Sequence, residues 1–491
     1  MDQARAPVLE ALQAYRDRGD VTFGPPGHRR GLGADPRVRE ILGDGVFASD
    51  VLMLNGLDDR RMSQGILEKA ESLMAEAVRA EKAFFSTCGS SLSVKAAMLA
   101  VAGPGEKLLI SRNAHKSVIS AVIINGTIPV WVHPKWDAKR HLAHPPEPDD
   151  VRKSLQRNPD AKGMVLITPT DWGSCADIAG VAQVCHEHGV PLIVDEAWGA
   201  HLPFHDNLPA WGMDAGADVV VTSVHKMGAA IEQSSVFHLQ GELVDPVFLK
   251  QRVDLLGTTS ASSLVYATLD GWRRHMAQQG SQLLDAALQR AERVRAAVAE
   301  LDGLSVLNRD VVDEGLAFDT DPLSMAFDVS GLGITGYTAA EHLRSTYHVN
   351  MGAADTIRIS ARLTHADDDG RVDRLLEVLT ALTRDAAHLN PSPRVNFPAP
   401  GGLDLETVML PREAFFADIE TVPVSQAAGR IVAELVSPYP PGVPALAPGE
   451  RITQEVLDYL TSAVAAGALL PDPVDQKFES VRVVARSAEP S

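Results

Sequence analysis

Two polar residues that follow apolar segments carry the strongest chemical signal in the sequence. Asp195 ends the segment PLIVD, and Lys226, 31 residues later, closely follows the segment DVVVTS. Short apolar runs of this kind are typical of buried parallel strands, whose ligands bind beyond the carboxyl ends. An acid at one strand end and a lysine just after another can therefore converge on one ligand.

This pair of side chains suits pyridoxal phosphate. Lys226 can form a Schiff base with the cofactor aldehyde, and Asp195 can hold a proton on the pyridine nitrogen, which makes the ring an electron sink. Taken singly, the acid could cap a strand and the lysine could be a solvated surface charge. Their order along the chain favours a cofactor site.

Two further segments could complete such a site. The small residues Thr87–Ser91 lie between the segment KAFFS and a predicted helix, where free N–H groups and hydroxyls favour a phosphate, although such residues are also ordinary helix caps. His115 follows the strand KLLIS and could stack on a pyridine ring and transfer protons. A solvated loop histidine is the alternative there, and His225, beside Lys226, is similarly ambiguous.

The composition limits the class of protein. The chain has 491 residues, 45% of them hydrophobic, which predicts more than one domain of a globular protein. Its 45 Lys and Arg against 64 Asp and Glu give a net charge of −19, which argues against nucleic acid or an anionic membrane as partner. Three cysteines match no disulfide framework, and no apolar segment is long enough to span a bilayer. We expect a cytoplasmic protein.

The elements that must position these residues alternate along the chain. Short apolar runs separate helical segments between about residues 65 and 258, which predicts an α/β domain with a mostly parallel sheet. A long helix, roughly Leu264 to Leu301, leads into a mixed region that ends near residue 388. The segment LNPSPRVNFPAPGGL is rich in Pro and Gly and reads as a linker before a last small segment.

Several sequence blocks resemble a known family. They are GPPGH, RNAHKS, VDEAWGAH, SVHK, TTSASS, PREAFF and PYPPGVPALAPGE, and with them the resemblance extends from about residue 20 to 485. In this order they resemble the Orn/Lys/Arg decarboxylases in their short form, enzymes with the aspartate-aminotransferase (type I) fold. The resemblance implies a large domain with a mostly parallel seven-stranded sheet, a smaller α+β domain and a C-terminal α+β domain. The boundaries that we expect are 1–40 for an N-terminal arm, then 41–257, 258–390 and 391–491.

The same resemblance implies roles for individual residues. Lys226 would be the Schiff-base lysine, Asp195 would pair with the ring nitrogen, and His115 would stack on the ring, opposite Ala197. Thr259 would reach the cofactor phosphate of a neighbouring subunit, which implies a homodimer or higher homo-oligomer with shared active sites. The residues assigned to the cofactor are Cys88, Gly89, Ser90, His115, Asp195, Ala197, Ser223, His225, Lys226 and Thr259.

The implied reaction is decarboxylation of an amino acid, most simply a basic one: lysine, ornithine or arginine. Candidates for the distal amine or guanidinium are Asp171, Glu232 and Glu450, and only Glu450 lies in a block that matches the family. Arg358 could pair with an α-carboxylate, as an arginine in a similar strand does in type I aminotransferases, or could be structural. Trp172 and Trp198 follow strand ends and could line the pocket.

Two alternatives to a decarboxylase are compatible with the sequence. The chain could be an aminotransferase or oxidase that retains the α-carboxylate, or a regulatory relative without catalysis, against which the intact Lys226 and Asp195 argue. The cluster Cys185-His186-Glu187-His188 has the residue types of a metal site. It lies at the end of a predicted helix, where histidines are favoured, so we expect no metal.

Overall fold

The computed structural model describes residues 1–53, 57–58, 65–399, 401–438 and 442–489. Tyr439, Pro440 and Pro441 of the block PYPPGVPALAPGE lie outside these ranges.

Sixteen α-helices occur within the described residues. They are α1 (Pro7–Arg18), α2 (Pro36–Leu42), α3 (Asp44–Ser49), α4 (Ile66–Ala77), α5 (Gly89–Val101), α6 (Lys116–Asn125), α7 (Pro148–Arg157), α8 (Ile178–Glu187), α9 (Val224–Met227), α10 (Pro246–Leu256), α11 (Ser263–Val298), α12 (Asp310–Asp313), α13 (Gly336–Tyr347), α14 (Asp369–Asp385), α15 (Pro411–Phe416) and α16 (Gln454–Ala465). The long helix expected near residue 264 is α11, which has 36 residues.

The strands are short, and the central strands of the large sheet are wholly buried. They are β1 (Lys82–Ser86), β2 (Lys107–Ser111), β3 (Ile128–Val132), β4 (Lys135–Asp137), β5 (Leu142–His144), β6 (Met164–Ile167), β7 (Ser174–Cys175), β8 (Leu192–Asp195), β9 (Val219–Ser223), β10 (Ser235–Leu239), β11 (Ser305–Val306), β12 (Asp319–Thr320), β13 (Ser324–Asp328), β14 (Arg358–Arg362), β15 (Ile419–Pro423) and β16 (Ser480–Val484).

Seven strands of the described chain form one sheet in the order β1-β10-β9-β8-β6-β2-β3. The pairs β8–β9, β2–β6 and β2–β3 are parallel, whereas β10 is antiparallel to both β9 and β1. Every residue of β6, β8, β9 and β10 is buried, as expected for strands covered on both faces. The predicted mostly parallel, seven-stranded sheet is confirmed.

Contacts divide the chain into two compact units. The first combines Met1–Ala100 with Ile193–Leu284, and the second combines Val101–Leu192 with Asp285–Ser491. The four-segment division expected from the sequence stays a prediction.

Within the first unit, a buried ion pair of α11 bonds the N-terminal arm. Arg273 and Asp270, one turn apart on α11, are fully buried and form an ion pair of 2.6 Å. Arg273 donates to the carbonyl oxygen of Arg5, and Asp270 accepts a hydrogen bond from the Val8 N–H at the start of α1. These bonds satisfy helix-start groups that α1 itself cannot bond.

The second unit contains two smaller antiparallel β-sheets formed by its later strands. Strands β11, β13 and β14 form an antiparallel sheet, and β15 pairs with β16. The C-terminal segment has its own apolar core, which includes Val432, Val436, Leu446, Leu460 and Val483. Helix α14 of this unit begins at a side-chain cap from Asp368.

Candidate active site

Lys226 lies in the single helical turn α9, directly after the buried strand β9. Its Nζ is 4.3 Å from the centre of the Trp198 ring, a distance suited to a cation–π contact. Trp198 follows β8 by three residues, so the ends of two neighbouring strands bring the lysine and the indole together. Both side chains are partly exposed.

Asp195 is the last residue of β8 and is 5% exposed. It pairs in register with Val221 of the parallel neighbour β9, two residues before Ser223 ends that strand. The acid and the segment that carries Lys226 therefore share one edge of the sheet. The sequence predicted this arrangement from strand ends alone.

Glu196 was not singled out by the sequence analysis, although it adjoins Asp195. It is fully buried, and burial raises the pKa of its carboxyl well above the usual range, with the negative charge of Asp195 acting in the same direction. Its Oε2 accepts a hydrogen bond of 3.3 Å from the Gly212 N–H. A Cβ on Gly199 would lie 2.3 Å from a Glu196 atom, and a Cβ on Gly212 would lie 3.1 Å from another. Glycine at both positions therefore leaves room for the Glu196 side chain.

The predicted phosphate loop lies at the start of α5. Gly89 has a φ of +74°, and a Cβ built on it would meet nothing within 4 Å, so the space in front of this turn is open. Ser223 Oγ donates to Ser90 Oγ at 2.5 Å, which joins the end of β9 to the first turn of α5. Helix-start N–H groups and two hydroxyls thus face one region. Cys88 precedes them as a partly exposed free thiol.

His225 and Ala197 support the same region. His225 Nδ1 lies 3.3 Å from the Ser234 carbonyl oxygen, to which it donates, and burial lowers the pKa of its imidazole. The Ser223 N–H donates to the Ala197 carbonyl oxygen at 3.4 Å.

The residues of this unit fit pyridoxal phosphate. A lysine amine, a buried acid on a neighbouring strand end and an open glycine turn at a helix start are what the aldehyde, ring nitrogen and phosphate require. The deciding observation is the open turn at Gly89 beside the Ser90–Ser223 pair.

His115 belongs to the second compact unit, where it caps α6. The Ser117 N–H donates to His115 Nδ1 at 3.2 Å, and Ser117 Oγ lies 2.9 Å from the same nitrogen. The predicted stacking of this ring on a cofactor stays a prediction.

Glu450 is held in a buried ion pair, and its predicted role in substrate recognition stays a prediction. It is 1% exposed, and its carboxylate forms an ion pair with Arg112, with distances of 3.0 Å and 3.1 Å to Nη2. Its Oε2 also accepts the Ala447 N–H at 2.8 Å. Arg112 belongs to the block RNAHKS, but the sequence analysis attached no role to it.

Arg358 and Trp172 meet on the wall of a cavity of about 180 Å³. The guanidinium centre lies 5.2 Å from the centre of the Trp172 ring, and Nη2 donates to the Arg140 carbonyl oxygen at 2.6 Å. Asp355 lies 3.5 Å from Nε, whereas the buried Nη1 has no hydrogen-bond partner among the described residues. The Nη1 group of Arg358 is therefore left uncommitted within the part of the chain that the structure describes.

Further aromatic side chains line this cavity. Phe397 stacks on His141 with ring centres 3.9 Å apart, and burial raises the pKa of Tyr459 to about 12, which keeps its phenol protonated. Asp171 also lines the cavity. The lining rings are Trp136, His141, Trp172, Tyr337, Phe397 and Tyr459.

Of the other sequence-predicted positions, Thr259 and Glu232 are exposed in the isolated chain, whereas Cys185 is buried. Cys185 and His186 lie in the last turn of α8, as predicted, and no group of three metal-ligating side chains occurs within the described residues. No helix in the described ranges combines the length and apolar character needed to cross a membrane.

Comparison with known proteins gives consistent matches over the whole chain. The family model described as Orn/Lys/Arg decarboxylase, major domain, matches residues 6–333, and the model of the C-terminal domain of that family matches residues 402–472. An arginine decarboxylase of Bacillus subtilis is 34% identical over 99% of this chain and 99% of its own length. An arginine decarboxylase of Bacillus anthracis is 36% identical over 99% of this chain and 98% of its own length.

Among solved structures, the constitutive lysine decarboxylase of E. coli is similar with a TM-score of 0.80 and 23% identity, over 99% of this chain and 82% of that one. A serine palmitoyltransferase of Sphingomonas wittichii is similar with a TM-score of 0.54 and 14% identity, over 79% of this chain and 85% of that one. These likenesses confirm the predicted type I fold.

Proposed function

The chain belongs to the Orn/Lys/Arg decarboxylase family and is an amino-acid decarboxylase, and from this premise we propose that it decarboxylates arginine with pyridoxal phosphate as cofactor. Family membership confirms the predicted decarboxylase over the aminotransferase or oxidase alternative. The choice of arginine rests on one observation, the end-to-end match to curated arginine decarboxylases.

Pyridoxal phosphate, when bound, supplies an electron-accepting ring that stabilises the negative charge left on Cα after the carboxylate departs as CO2. Lys226 would hold the cofactor aldehyde through its Nζ. Asp195 would keep a proton on the pyridine nitrogen. Its buried position excludes water that would compete for this proton.

The remaining residues of the first unit hold the phosphate and the lysine. Ser90 and Ser223 donate hydroxyl protons, the start of α5 donates backbone N–H groups, and the turn at Gly89 allows close approach. Trp198 places the lysine amine through its cation–π contact of 4.3 Å. Burial raises the pKa of the Glu196 carboxyl, which favours the neutral acid beside Asp195.

His115 is proposed to stack on the cofactor ring and, with Lys226, to deliver the proton that replaces CO2 on Cα. Because Nδ1 accepts a hydrogen bond from the Ser117 N–H, Nε2 is the atom proposed to deliver the proton. Decarboxylation breaks the bond between Cα and the carboxylate and forms a C–H bond, so one proton is consumed for each CO2 released.

The substrate is proposed to contact the aromatic cavity of the second unit. Arg358 lines this cavity and has one N–H group that is uncommitted among the described residues, and Trp172 offers a flat ring beside it. A firm ion pair between Arg358 and the α-carboxylate would oppose loss of CO2, because it stabilises the charge that must leave. The bonds of Arg358 to Asp355 and Arg140 reduce that opposition by sharing its charge.

The active form is proposed to be a homodimer with shared active sites in the cytoplasm. Helix α10 presents Val247, Phe248 and Leu255 to solvent, with exposures of 63%, 52% and 73%, just before the exposed Thr259. Such an apolar surface is typical of a protein interface. The three cysteines are free, which fits a reducing compartment.

The test is to incubate the purified protein, loaded with pyridoxal phosphate, with arginine, lysine and ornithine in separate reactions, and to measure CO2 and the corresponding amines. We expect the highest kcat/KM for arginine and no keto acid or peroxide. A preference for lysine or ornithine would contradict the substrate, and amine formation that persists in Lys226→Ala would contradict the site.

A further inference from the structure

We propose that two carboxylates of the C-terminal segment position His115 for the cofactor. Glu450 acts through Arg112, three residues before the histidine. Asp472 acts through Lys116, the residue after it. This inference rests on the proposed function, because it assumes that His115 contacts the cofactor ring. All five residues lie within the second compact unit.

The ion pair between Arg112 and Glu450 is buried and multiply bonded. The two side chains are 7% and 1% exposed. Arg112 Nε lies 3.2 Å from Oε1, and Nη2 lies 3.0 Å and 3.1 Å from the two carboxylate oxygens. Nη1 donates to the Pro444 carbonyl oxygen at 2.8 Å. Because several guanidinium N–H groups contact one carboxylate, both the distance between Arg112 and Glu450 and the orientation of the two side chains are restricted.

Each partner of this pair is itself held in place. The guanidinium of Arg112 lies 5.4 Å from the centre of the Trp131 ring, whose Nε1 donates to Thr407 Oγ1 at 3.1 Å. Glu450 follows Gly449, which has a φ of +92°, and a Cβ there would lie 2.0 Å from the Met409 carbonyl oxygen. Only glycine fits this turn, so the carboxylate is presented from a fixed backbone.

The second connection lies on the other side of His115. Lys116 Nζ is 2.7 Å from Asp472 Oδ1, with side-chain exposures of 33% and 14%. The backbone N–H of Lys116 donates to the Gly442 carbonyl oxygen at 3.1 Å. Arg112 and Lys116 are therefore both bonded to the C-terminal segment through their side chains, and Lys116 is bonded to it through its backbone N–H as well.

These bonds bear on the imidazole because His115 is the N-cap of its own helix, α6. The Ser117 N–H fixes Nδ1 at 3.2 Å, so the direction of the ring follows the direction of the helix start. A shift of the Arg112–Lys116 segment would carry the ring with it. A misplacement of about 1 Å in a reacting group is enough to cost on the order of a hundredfold in rate.

Two other roles for Glu450 make different predictions. If it recognises the distal group of the substrate, its loss should raise KM and change the choice between arginine and lysine. If the pair only stabilises the fold, its loss should lower the temperature of unfolding and leave the cofactor environment unchanged.

The experiment compares Glu450→Gln, Asp472→Asn and the double variant with a matched control, Glu420→Gln. Glu420 belongs to another ion pair of the C-terminal segment, 3.2 Å from Arg430, and lies 40% exposed. Each protein is loaded with pyridoxal phosphate, and we measure visible circular dichroism of the bound cofactor, kcat and KM for arginine, and thermal unfolding. His115→Ala provides the reference signature of a lost ring contact.

We expect Glu450→Gln to lower kcat by roughly tenfold to a hundredfold with less than about a threefold change in KM. Its circular dichroism should shift toward that of His115→Ala. Asp472→Asn should shift in the same direction by less, and Glu420→Gln should match the unaltered protein. Because Asp472 is partly exposed, its variant provides the test if Glu450→Gln fails to fold.

An unchanged cofactor spectrum and kcat in both single variants would overturn the proposal, as would a rise in KM with altered substrate choice. A spectrum and kcat of His115→Ala equal to those of the unaltered protein would also overturn it. Failure of the proposed function would appear separately, as absence of arginine turnover in the unaltered protein, while the circular dichroism comparison still reports on the position of His115.

Discussion

Lys226 Nζ and the Trp198 ring face each other at 4.3 Å, although 28 residues separate them in the chain. The two residues follow β9 and β8, which are parallel neighbours, so adjacent strand ends create the contact. A cation–π contact of this kind contributes about 0.5–2 kcal/mol, enough to select one rotamer of a long lysine side chain. The amine is therefore directed before any cofactor arrives.

Replacement of Lys226 by Ala should abolish covalent attachment of the cofactor and turnover, while the fold survives. The side chain is partly exposed, and its loss leaves no buried cavity. Reduction with borohydride followed by mass spectrometry should find the cofactor on the Lys226 peptide of the unaltered protein and on no peptide of the variant. Lys153→Ala, which removes an exposed lysine of α7, is the control, and its Lys226 peptide should be labelled normally. Labelling of the Lys226→Ala variant would exclude the assignment.

Replacement of Asp195 by Asn should lower kcat by several orders of magnitude with little change in stability, because the two side chains are nearly isosteric. Without the carboxylate, the pyridine nitrogen loses its proton and the ring accepts electrons poorly. Glu196→Gln is the matched control: burial already favours the neutral acid there, so the rate should fall far less. A rate for Asp195→Asn within about tenfold of the unaltered protein, or ~1.4 kcal/mol in the barrier, would remove Asp195 from this role.

The sequence predicted those parts of the site that depend on local pattern. Asp195 and Lys226 were found because buried parallel strands read as continuous apolar runs, and the residues at the carboxyl end of such a run lie at the ligand edge of the sheet. The turn at Gly89 was predicted because small residues between a strand and a helix allow a phosphate to approach the backbone, and its role in phosphate binding stays a prediction.

Long-range pairings could not be predicted in this way. Arg112 and Glu450 are 338 positions apart, and nothing in either local sequence indicates that they meet. Phe397 lies in a segment read as a linker from its Pro and Gly content. The segment contains no helix or strand in its described residues, yet Phe397 stacks on His141 and lines the cavity. Composition indicates the absence of regular structure, but not the absence of packing.

The stability of the protein should fall in mild acid through His238. This histidine is 2% exposed on β10, next to the Trp211 ring, and burial lowers its pKa from 6.5 to about 3. Below about pH 6.5 the unfolded chain binds a proton that the folded chain excludes. The free energy of unfolding therefore decreases as the pH falls, by ~1.4 kcal/mol per unit until the folded group titrates.

Urea unfolding at pH 7 and pH 5 measures this contribution. Relative to His238→Gln, the unaltered protein should lose about 2 kcal/mol more between the two pH values. His388→Gln, at an exposed position, should show the same pH dependence as the unaltered protein. Equal pH dependence in His238→Gln and the unaltered protein would show that this histidine is not the group responsible.

Shared active sites can be tested by mixing two inactive variants. Thr259 is exposed just after α10, whose apolar side chains also face solvent, so a bulky replacement such as Thr259→Trp should leave each subunit folded but block a site to which the partner contributes. Combined with Lys226→Ala, a heterodimer has one site with both defects and one with neither. Activity should then return to about half that of the unaltered dimer per heterodimer, because a two-fold interface creates two equivalent sites. Subunit exchange is verified by native mass spectrometry, and homodimers of each variant provide the baseline. Verified heterodimers without activity would mean that each site is built from one chain.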